Sequence, residues 1–298
     1  MEVKEFCLIV AHDAGGAEIL VNYVVQKKVP CIFALDGPAI KIFLRKIPGL
    51  SICSLEQGIQ QASWVLCGTS WQSDLEWRAI KLAKKRQLKV VTFLDHWVNY
   101  QERFVRNGIR QLPDQIWVGD TDAEKVAQSC FPDLPIRVED NPYLLGIKKQ
   151  LASLQYLVKK EENKTVVLFV SENISGHALL KYGDKDYFGY TEFGALDFLL
   201  ENLCLVSDKP IDKLIIRPHP SDEKGKYSVY QKKFPELITV SENSTLLKDI
   251  SLADIVAGCE SMALVVALVA EKYAISCIPG QQEVRLPHSK IHRLKNML

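Results

Sequence analysis

Residues 6–17 have the sequence FCLIVAHDAGGA, and they set the fold of the first half of the chain. The apolar run Phe6–Ala11 predicts a buried strand, and a glycine-containing turn leads from it into a helical pattern over Ala17–Lys27. Short apolar runs alternate with amphipathic stretches in the same way along the whole chain. Apolar strands separated by helices are typical of a parallel sheet covered on both faces. The sequence therefore predicts a doubly wound α/β fold, whose ligands bind beyond the carboxyl ends of the strands.

The chain has 298 residues, about twice the length of a usual single domain, which favours two α/β domains. Residues 132–146 contain three prolines and have the composition of a connector. A helical run over Lys148–Lys160 follows, and the α/β alternation restarts at Val166. We therefore expect two Rossmann-like domains, residues 1–146 and 147–298, that face each other across a cleft. The basic tail, residues 288–298, could cross back to the first domain.

Composition and charge exclude several classes of protein. The formal net charge is +1 without a strongly basic block, which argues against nucleic acid as a partner. A weak peripheral membrane contact through a basic helix face, such as residues 81–86, stays open. The longest apolar run, Met262–Ala270, is too short to cross a bilayer, and the N-terminal residues do not resemble a secretory leader, so a cytoplasmic protein is expected. The eight cysteines occur singly and predict free thiols, so we assign no metal site and no cofactor.

The segment Arg217-Pro218-His219-Pro220 ends an apolar strand of the second half. Two prolines fix the backbone around the histidine and stop the strand. Arg217 and His219 should therefore lie at the carboxyl edge of the sheet, where an imidazole could stabilise a departing phosphate. The alternative is a stiff turn in which His219 only caps the chain and Arg217 only anchors the strand edge.

A second candidate segment, Gly258 to Met262, joins a strand to a helix. Exposed N–H groups and the positive end of the helix dipole make such a turn an anion site, with Ser261 beside the anion. Glu260 could compensate the dipole or bind ribose hydroxyls. The alternative is an ordinary turn capped by the serine.

A third polar segment, Ser171 to Gly176, follows the first strand of the second half, and Ser171, Glu172 and Asn173 are its candidates. It also lies at a carboxyl end and should face the same ligand. The long connection from this segment to Tyr190 is rich in Gly, Asp and Tyr, and it resembles a mobile loop over the site.

The first half offers two acidic candidates for a general base. Asp13 lies in the turn after the first strand beside His12, and Gly15 and Gly16 would let a ligand approach the backbone. This turn is neither G-x-G-x-x-G nor a phosphate loop, so the usual dinucleotide and NTP fingerprints are absent.

Asp95 is the other candidate, in a loop with His96, Trp97 and Asn99. Aromatic and carboxylate groups in one loop suit a sugar, because rings pack on its apolar face and carboxylates accept its hydroxyls. The alternative is a buried polar pair, Asp95 and His96, that orders the loop.

The Arg217–Pro220 segment, followed about forty residues later by the Glu260-Ser261 turn, resembles the donor half of GT-B glycosyltransferases. It is most similar to the bacterial branch with a His-Pro motif, which includes sialyltransferases, polysialyltransferases, Kdo transferases and CDP-glycerol glycerophosphotransferases. The resemblance implies that His219 contacts the donor phosphate and that Ser261 holds it. It also implies an acidic base in the first domain and chemistry without a metal. The sialyltransferase branch carries that base in an acidic-acidic-Gly motif, which this chain lacks, and the base position of other GT-B enzymes slightly favours Asp13 over Asp95.

The resemblance and the residues together give three sets of candidate site residues. The catalytic candidates are Asp13, Asp95 and His219. The donor-binding candidates are Ser171, Glu172, Asn173, Arg217, His219, Pro220, Gly258, Glu260, Ser261 and Met262. The acceptor-side candidates are His12, Gly15, Gly16, His96, Trp97 and Asn99.

These features predict a metal-independent glycosyltransferase that moves a sugar from a nucleotide-activated donor to a hydroxyl of a glycan or surface polysaccharide. A CMP-linked acidic sugar is the first expectation for the donor and a UDP-sugar the next. One alternative is a nucleotide-sugar epimerase or hydrolase, which would process the donor without an acceptor. Another is a non-catalytic protein that binds a nucleotide or a glycan.

Overall fold

The computed structural model describes residues 5–71, 73–155, 163–282 and 284–298. Its contacts divide the chain into two compact units, Met1–Gly146 (unit 1) and Ile147–Leu298 (unit 2). The predicted helix over residues 148–160 is described as far as residue 155, and the rest of it lies outside the described residues.

Unit 1 is built on a parallel sheet. Its strands are β1 (Cys7–Ala11), β2 (Cys31–Leu35), β3 (Trp64–Cys67), β4 (Lys89–Leu94), β5 (Val105–Arg106), β6 (Ile109–Arg110), β7 (Gln115–Val118) and β8 (Ile136–Val138). Strands β5 and β6 form a separate antiparallel hairpin. The others pair in parallel in the order β2-β1-β3-β4-β7-β8. Every residue of β1 is buried, as expected for a strand covered on both faces.

The helices of unit 1 connect these strands and cover the sheet. They are α1 (Ala14–Lys27), α2 (Pro38–Lys46), α3 (Leu55–Gln61), α4 (Leu75–Lys85) and α5 (Thr121–Cys130). Helix α6 (Pro142–Gln155) runs through the division between the units. It begins at a proline, which suits the first helical position, and Asn141 Oδ1 accepts the backbone N–H of Tyr143 at 3.0 Å.

Unit 2 repeats the α/β plan. Its strands are β9 (Thr165–Val170), β10 (Ile211–Arg217), β11 (Ile238–Val240), β12 (Ile255–Gly258), β13 (Tyr273–Ser276) and β14 (Ile291–Arg293). They pair in parallel in the order β11-β10-β9-β12-β13-β14. Its helices are α7 (Ile174–Tyr182), α8 (Glu192–Glu201), α9 (Leu203–Val206), α10 (Ser228–Lys233), α11 (Leu246–Leu252) and α12 (Met262–Val269). The predicted α/β class with two parallel-sheet domains is confirmed.

Each sheet has a point where the strand order reverses. In unit 1, β1 lies between β2 and β3, and in unit 2, β9 lies between β10 and β12. The switch points therefore lie between β1 and β3 and between β9 and β12. The connections leave the two strands of each pair in opposite directions and open a crevice at their carboxyl ends, where open α/β sheets bind ligands. The turns after β1 and β3, and those after β9 and β12, are therefore the places to look for a site.

Some local predictions were wrong. The alternation of apolar and amphipathic stretches also predicts a short strand over residues 51–53, but this segment contributes only an isolated bridge between Phe33 and Ile52. The connection after Asn173, expected as a mobile loop, begins with helix α7, because Ile174 and Ala178 provide a buried face for it. The C-terminal residues Ile291–Arg293 pair with β13, and Leu294 is buried in the core of unit 2. No described helix is long and apolar enough to span a membrane.

Candidate functional site

A pocket of about 760 Å³ opens at the switch point of unit 2. Six of the predicted donor-side residues line it: Glu172, Asn173, His219, Glu260, Ser261 and Met262. They come from three separate stretches of sequence that follow β9, β10 and β12. The parallel pairing of these strands brings the stretches to one edge of the sheet.

The other predicted donor-side residues do not line this pocket. The Ser171 hydroxyl is buried against the Tyr227 hydroxyl. Arg217 Nη1 donates to Asp249 Oδ2 at 2.6 Å and to the Ser244 carbonyl at 2.9 Å, so this guanidinium anchors the strand edge. A Cβ on the buried Gly258 would lie 3.0 Å from the Val170 carbonyl oxygen, so this glycine permits close strand packing. Pro220 is exposed in the turn after His219.

The His219 turn is closed by hydrogen bonds of its own. The backbone N–H of Asp222 donates to the His219 carbonyl at 2.9 Å, and Asp222 Oδ2 accepts the backbone N–H of His219 at 2.8 Å. Asp222 Oδ1 also accepts Lys226 Nζ at 2.7 Å, and this ammonium contacts the fully buried carboxylate of Glu192. Burial alone would lower the pKa of Lys226, but the hydrogen bonds to the two carboxylates outweigh it and raise that pKa. The ion cluster therefore ties the turn to the body of unit 2.

The turn before α12 is largely satisfied by the chain itself. Glu172 Oε1 accepts the backbone N–H groups of Cys259 at 3.1 Å and Glu260 at 2.8 Å. Ser261 Oγ accepts the backbone N–H of Ala263 at 3.2 Å and so acts as the N-cap. Burial raises the pKa of Glu172, because these amide bonds only partly offset its loss of solvation. A carboxylate of the chain thus lies where an anion was expected, although the Ser261 hydroxyl proton can still be donated to a ligand.

Part of the pocket lining is aromatic, and the sequence did not assign it a role. It is formed by His177, Tyr182, Phe188 and Tyr190. The rings of His177 and Phe188 stack with centroids 6.2 Å apart. Burial raises the pKa of Tyr190, so its phenol stays a neutral hydroxyl. The aromatic content of residues 182–190 was the available signal, and it was interpreted as a loop.

Glu260 is held by a residue that the sequence also left unassigned. Arg285 Nε and Nη2 each lie 2.6 Å from Glu260 Oε2. The Glu260 side chain is nearly buried, whereas that of Arg285 is mostly exposed. The arginine neutralises one of the two carboxylates that line the pocket, and it lines the pocket itself.

In unit 1, the turns after β1 and β3 bring Asp13 and His12 together with Ser70 and Trp71. Asp13 Oδ1 lies 2.7 Å from His12 Nδ1 and accepts the Ser70 hydroxyl at 2.6 Å, and Oδ2 accepts the backbone N–H of Trp71 at 2.9 Å. Burial favours the neutral acid, but these bonds outweigh it and hold the pKa of Asp13 below its usual value. A lowered pKa makes a carboxylate a weaker proton acceptor, so Asp13 is better suited to orient the His12 ring.

Glu76, in the first turn of α4, is a member of this cluster that the sequence did not reveal. Its carboxyl is buried, and Oε1 accepts the backbone N–H of His12 at 2.8 Å. Burial raises the pKa of Glu76 to about 7. Among the described residues, Oε2 has no hydrogen-bond partner. A carboxyl with such a pKa can hold or release a proton near neutral pH.

Asp95 lies against a buried arginine. Arg103 Nη1 donates to Asp95 Oδ1 and to Thr69 Oγ1, both at 2.6 Å. The guanidinium is almost completely buried, and Asp95 is its ion-pair partner. Asp95 thus has a structural partner, but that partner is Arg103 and not the His96 that the alternative named.

The rest of the predicted sugar loop consists of His96, Trp97 and Asn99. The Trp97 ring is buried and its Nε1 donates to Asp120 Oδ2 at 2.9 Å, so it offers no exposed face to a sugar. His96 Nδ1 accepts the backbone N–H of Trp97 at 2.9 Å, and the exposed Asn99 adopts a left-handed backbone with φ of 56°.

The two glycines after Asp13 serve packing within unit 1. A Cβ on Gly15 would lie 2.1 Å from Asp95 Oδ2. A Cβ on Gly16 would lie 3.4 Å from the Cα of Gly68. The space that the sequence assigned to a ligand is thus taken, at both positions, by other parts of this unit.

No protein-family model and no curated protein matches the sequence. Solved structures do match. A putative UDP-N-acetylglucosamine 2-epimerase from Listeria monocytogenes aligns with 92% of this chain and 79% of its own, at 11% identity and a TM-score of 0.55. The glycotransferase of kitacinnamycin aligns with 95% of this chain and 82% of its own, at 13% identity and a TM-score of 0.50. At such identities the likeness shows the fold alone, which is the two-domain α/β architecture of the GT-B class.

Proposed function

We propose that this chain is a glycosyltransferase that binds a nucleotide-activated sugar in the pocket of unit 2. The observation that carries the proposal is the convergence of His219 and Ser261 on one pocket at the switch point of the sheet. An imidazole N–H and a serine hydroxyl, fixed before the ligand arrives, can stabilise the negative charge that develops on a leaving phosphate. The aromatic wall formed by His177, Tyr182, Phe188 and Tyr190 offers flat faces for a nucleobase.

The charges of the pocket favour a sugar donor with one phosphate over a donor with two. Glu172 and Glu260 line the pocket, and Arg285 pairs with Glu260. A second phosphate would bring a further negative charge near the unpaired carboxylate. The proposal therefore keeps a CMP-linked sugar as its first donor and a UDP-sugar as its second, with a glycan hydroxyl as the acceptor.

The proton of the acceptor hydroxyl is assigned to the cluster of unit 1. In this proposal Asp13 does not take the proton itself but orients the His12 ring through Nδ1, and His12 Nε2 accepts the proton. Asp95 is occupied by Arg103, so we assign it the structural role. In the proposed reaction the acceptor oxygen forms a bond to the anomeric carbon, the bond from that carbon to the phosphate oxygen breaks, and His219 and Ser261 stabilise the phosphate oxygen.

Calorimetric unfolding in the presence of CMP, CDP, UDP, GDP and dTDP tests the donor assignment. A ligand that binds only the folded protein stabilises it by about 2.7 kcal/mol at a concentration roughly 100 times its Kd. We expect either the cytidine nucleotides or UDP to raise the melting temperature, and we expect GDP to leave it unchanged. The absence of a shift with every nucleotide would contradict the proposal.

His219→Ala tests the assigned role of the imidazole. Loss of one such donor should lower transfer turnover by about a hundredfold or more. His292→Ala is the matched control, because His292 is an exposed histidine of unit 2 that does not line the pocket. Equal activity of the two variants would remove His219 from the mechanism. Incubation with donor alone separates the alternatives, because rapid isomerisation or release of the sugar would identify an epimerase or a hydrolase.

A further inference from the structure

The ring of His219 is held by a neighbour in its own turn. Ser221 contributes both its backbone N–H and its hydroxyl to the same ring nitrogen, Nδ1, at 3.2 Å and 2.7 Å. Asn173 Nδ2 in turn donates to Ser221 Oγ at 3.0 Å. We propose that Ser221, supported by Asn173, is a positioning residue that keeps His219 in the tautomer with its proton on Nε2.

The direction of these hydrogen bonds decides the tautomer. An amide N–H can only donate, so Nδ1 must present its lone pair to Ser221. Since the Ser221 oxygen accepts from Asn173, its own hydroxyl proton is free to point at Nδ1 as a second donor. A neutral imidazole carries one proton, and two donors on Nδ1 leave that proton on Nε2.

The backbone of the turn does not depend on this arrangement. Asp222 closes the turn by hydrogen bonds with the His219 N–H and C=O, and Lys226 anchors Asp222 to the buried Glu192. Ser221 is exposed, and the partners of its hydroxyl among the described residues are the His219 ring and Asn173. Removing the hydroxyl should therefore loosen the ring, which keeps only the longer 3.2 Å bond from the Ser221 backbone N–H, while the turn persists.

A proton on His219 Nε2 can be donated to the oxygen of the leaving phosphate, and this step rests on the proposed function. A ring with its proton on Nε2 presents a donor to an anionic oxygen, whereas the other tautomer, or a flipped ring, presents a lone pair that repels it. A donor fixed in advance costs no reorganisation when charge develops. Ser221 and Asn173 thus set the fraction of molecules in which His219 can act.

The test measures the tautomer directly in the free protein. In ¹⁵N-histidine-labelled protein, long-range ¹H–¹⁵N spectra distinguish a protonated from an unprotonated ring nitrogen, and His219→Asn identifies the His219 signals. We expect Nδ1 to be unprotonated in the wild type and Ser221→Ala to give a mixture of tautomers. Ser221→Thr, which keeps a hydroxyl, should restore the wild-type pattern. A protonated Nδ1 in the wild type, or an unchanged tautomer in Ser221→Ala, would overturn the inference.

Ligand binding and transfer provide the second readout. We expect Ser221→Ala to weaken binding of CMP or UDP and to lower turnover roughly tenfold, less than loss of the whole donor. Ser221→Thr should recover both. Ser153→Ala is the control, because Ser153 is exposed, does not line the pocket, and donates its hydroxyl to the Gln150 carbonyl of its own helix. If neither nucleotide binds the wild type, the proposed function fails, while the tautomer measurement still decides the role of Ser221.

Discussion

Replacing Arg103 by methionine tests whether Asp95 is a structural carboxylate. The guanidinium lies between Asp95 Oδ1 and Thr69 Oγ1, 2.6 Å from each, and its Nε donates to the Val98 carbonyl at 3.3 Å. Methionine keeps an apolar stem of similar length but has no charge and no donor. Arg103→Met would therefore leave the Asp95 carboxylate, whose side chain is only 14% exposed, without its ion-pair partner.

The size of the effect follows from burial. Removing one partner of a buried ion pair costs about 3–5 kcal/mol, whereas an exposed pair contributes about 0–1 kcal/mol. Asp95 keeps some exposure and a 3.4 Å contact to Thr69, so we expect the lower end, about 3 kcal/mol. With a urea m-value of about 2 kcal/mol/M, the unfolding midpoint should fall by roughly 1.5 M.

Tryptophan fluorescence is a suitable probe because all five tryptophans lie within the first 117 residues. It therefore follows the unfolding of unit 1 in urea. Arg78→Met is the matched control, since Arg78 pairs with Glu56 on the surface of the same unit. Adding Asp95→Asn to Arg103→Met should recover much of the loss, because the unpaired charge is then removed. Equal midpoints for Arg103→Met and Arg78→Met would refute the reasoning and would return Asp95 to the list of candidate bases.

Two further predictions concern buried carboxyls. Burial raises the pKa of Glu76 from 4.5 to about 7, so between these values the folded protein binds more protons than the unfolded chain. The free energy of unfolding of unit 1 should accordingly fall by about 3 kcal/mol as the pH rises across that window. Urea titrations at pH 5, 6 and 7 measure this dependence, and Glu76→Gln should remove it. An unchanged pH dependence in the variant would contradict the assignment. Glu172→Gln keeps an acceptor for the amides of Cys259 and Glu260 but removes a negative charge from the pocket, so CMP or UDP should bind several-fold more tightly by calorimetry. Weaker binding would show instead that the carboxylate itself holds the ligand.

The sequence was informative wherever local pattern decides structure. Apolar runs separated by amphipathic stretches predicted parallel sheets in both halves, because buried parallel strands leave that pattern. The prolines around His219 predicted a strand end, and parallel pairing then placed this residue at the same edge as Ser261. These inferences needed only the chain direction and the order of the elements.

The sequence was uninformative wherever a side chain is used by a distant part of the chain. Nothing local to Arg103 indicates that its guanidinium is buried against Asp95 and Thr69. Glu172 is polar and follows a strand, as a ligand-binding residue would, yet its carboxylate caps the amides of a turn 87 residues away. Trp97 was assigned to a sugar because it is aromatic, but the core of unit 1 takes its ring. Tertiary contacts decide such cases, and one sequence does not display them.

The contact between Gly16 and Gly68 limits the size of the side chains that these two positions of unit 1 can accept. These residues let the start of α1 and the end of β3 touch backbone to backbone, with no side chain between them. A methyl group at either position would make ordinary van der Waals contact with the facing backbone, but a longer side chain would have to displace that backbone. Asp13 precedes the first helix, whereas Ser70 and Trp71 follow the strand, so a side chain larger than a methyl group would stretch the hydrogen bonds that join them. The small size of both glycines thus sets the spacing of the hydrogen-bonded cluster of Asp13, Ser70 and Trp71. A design that builds this turn into another protein should keep both glycines.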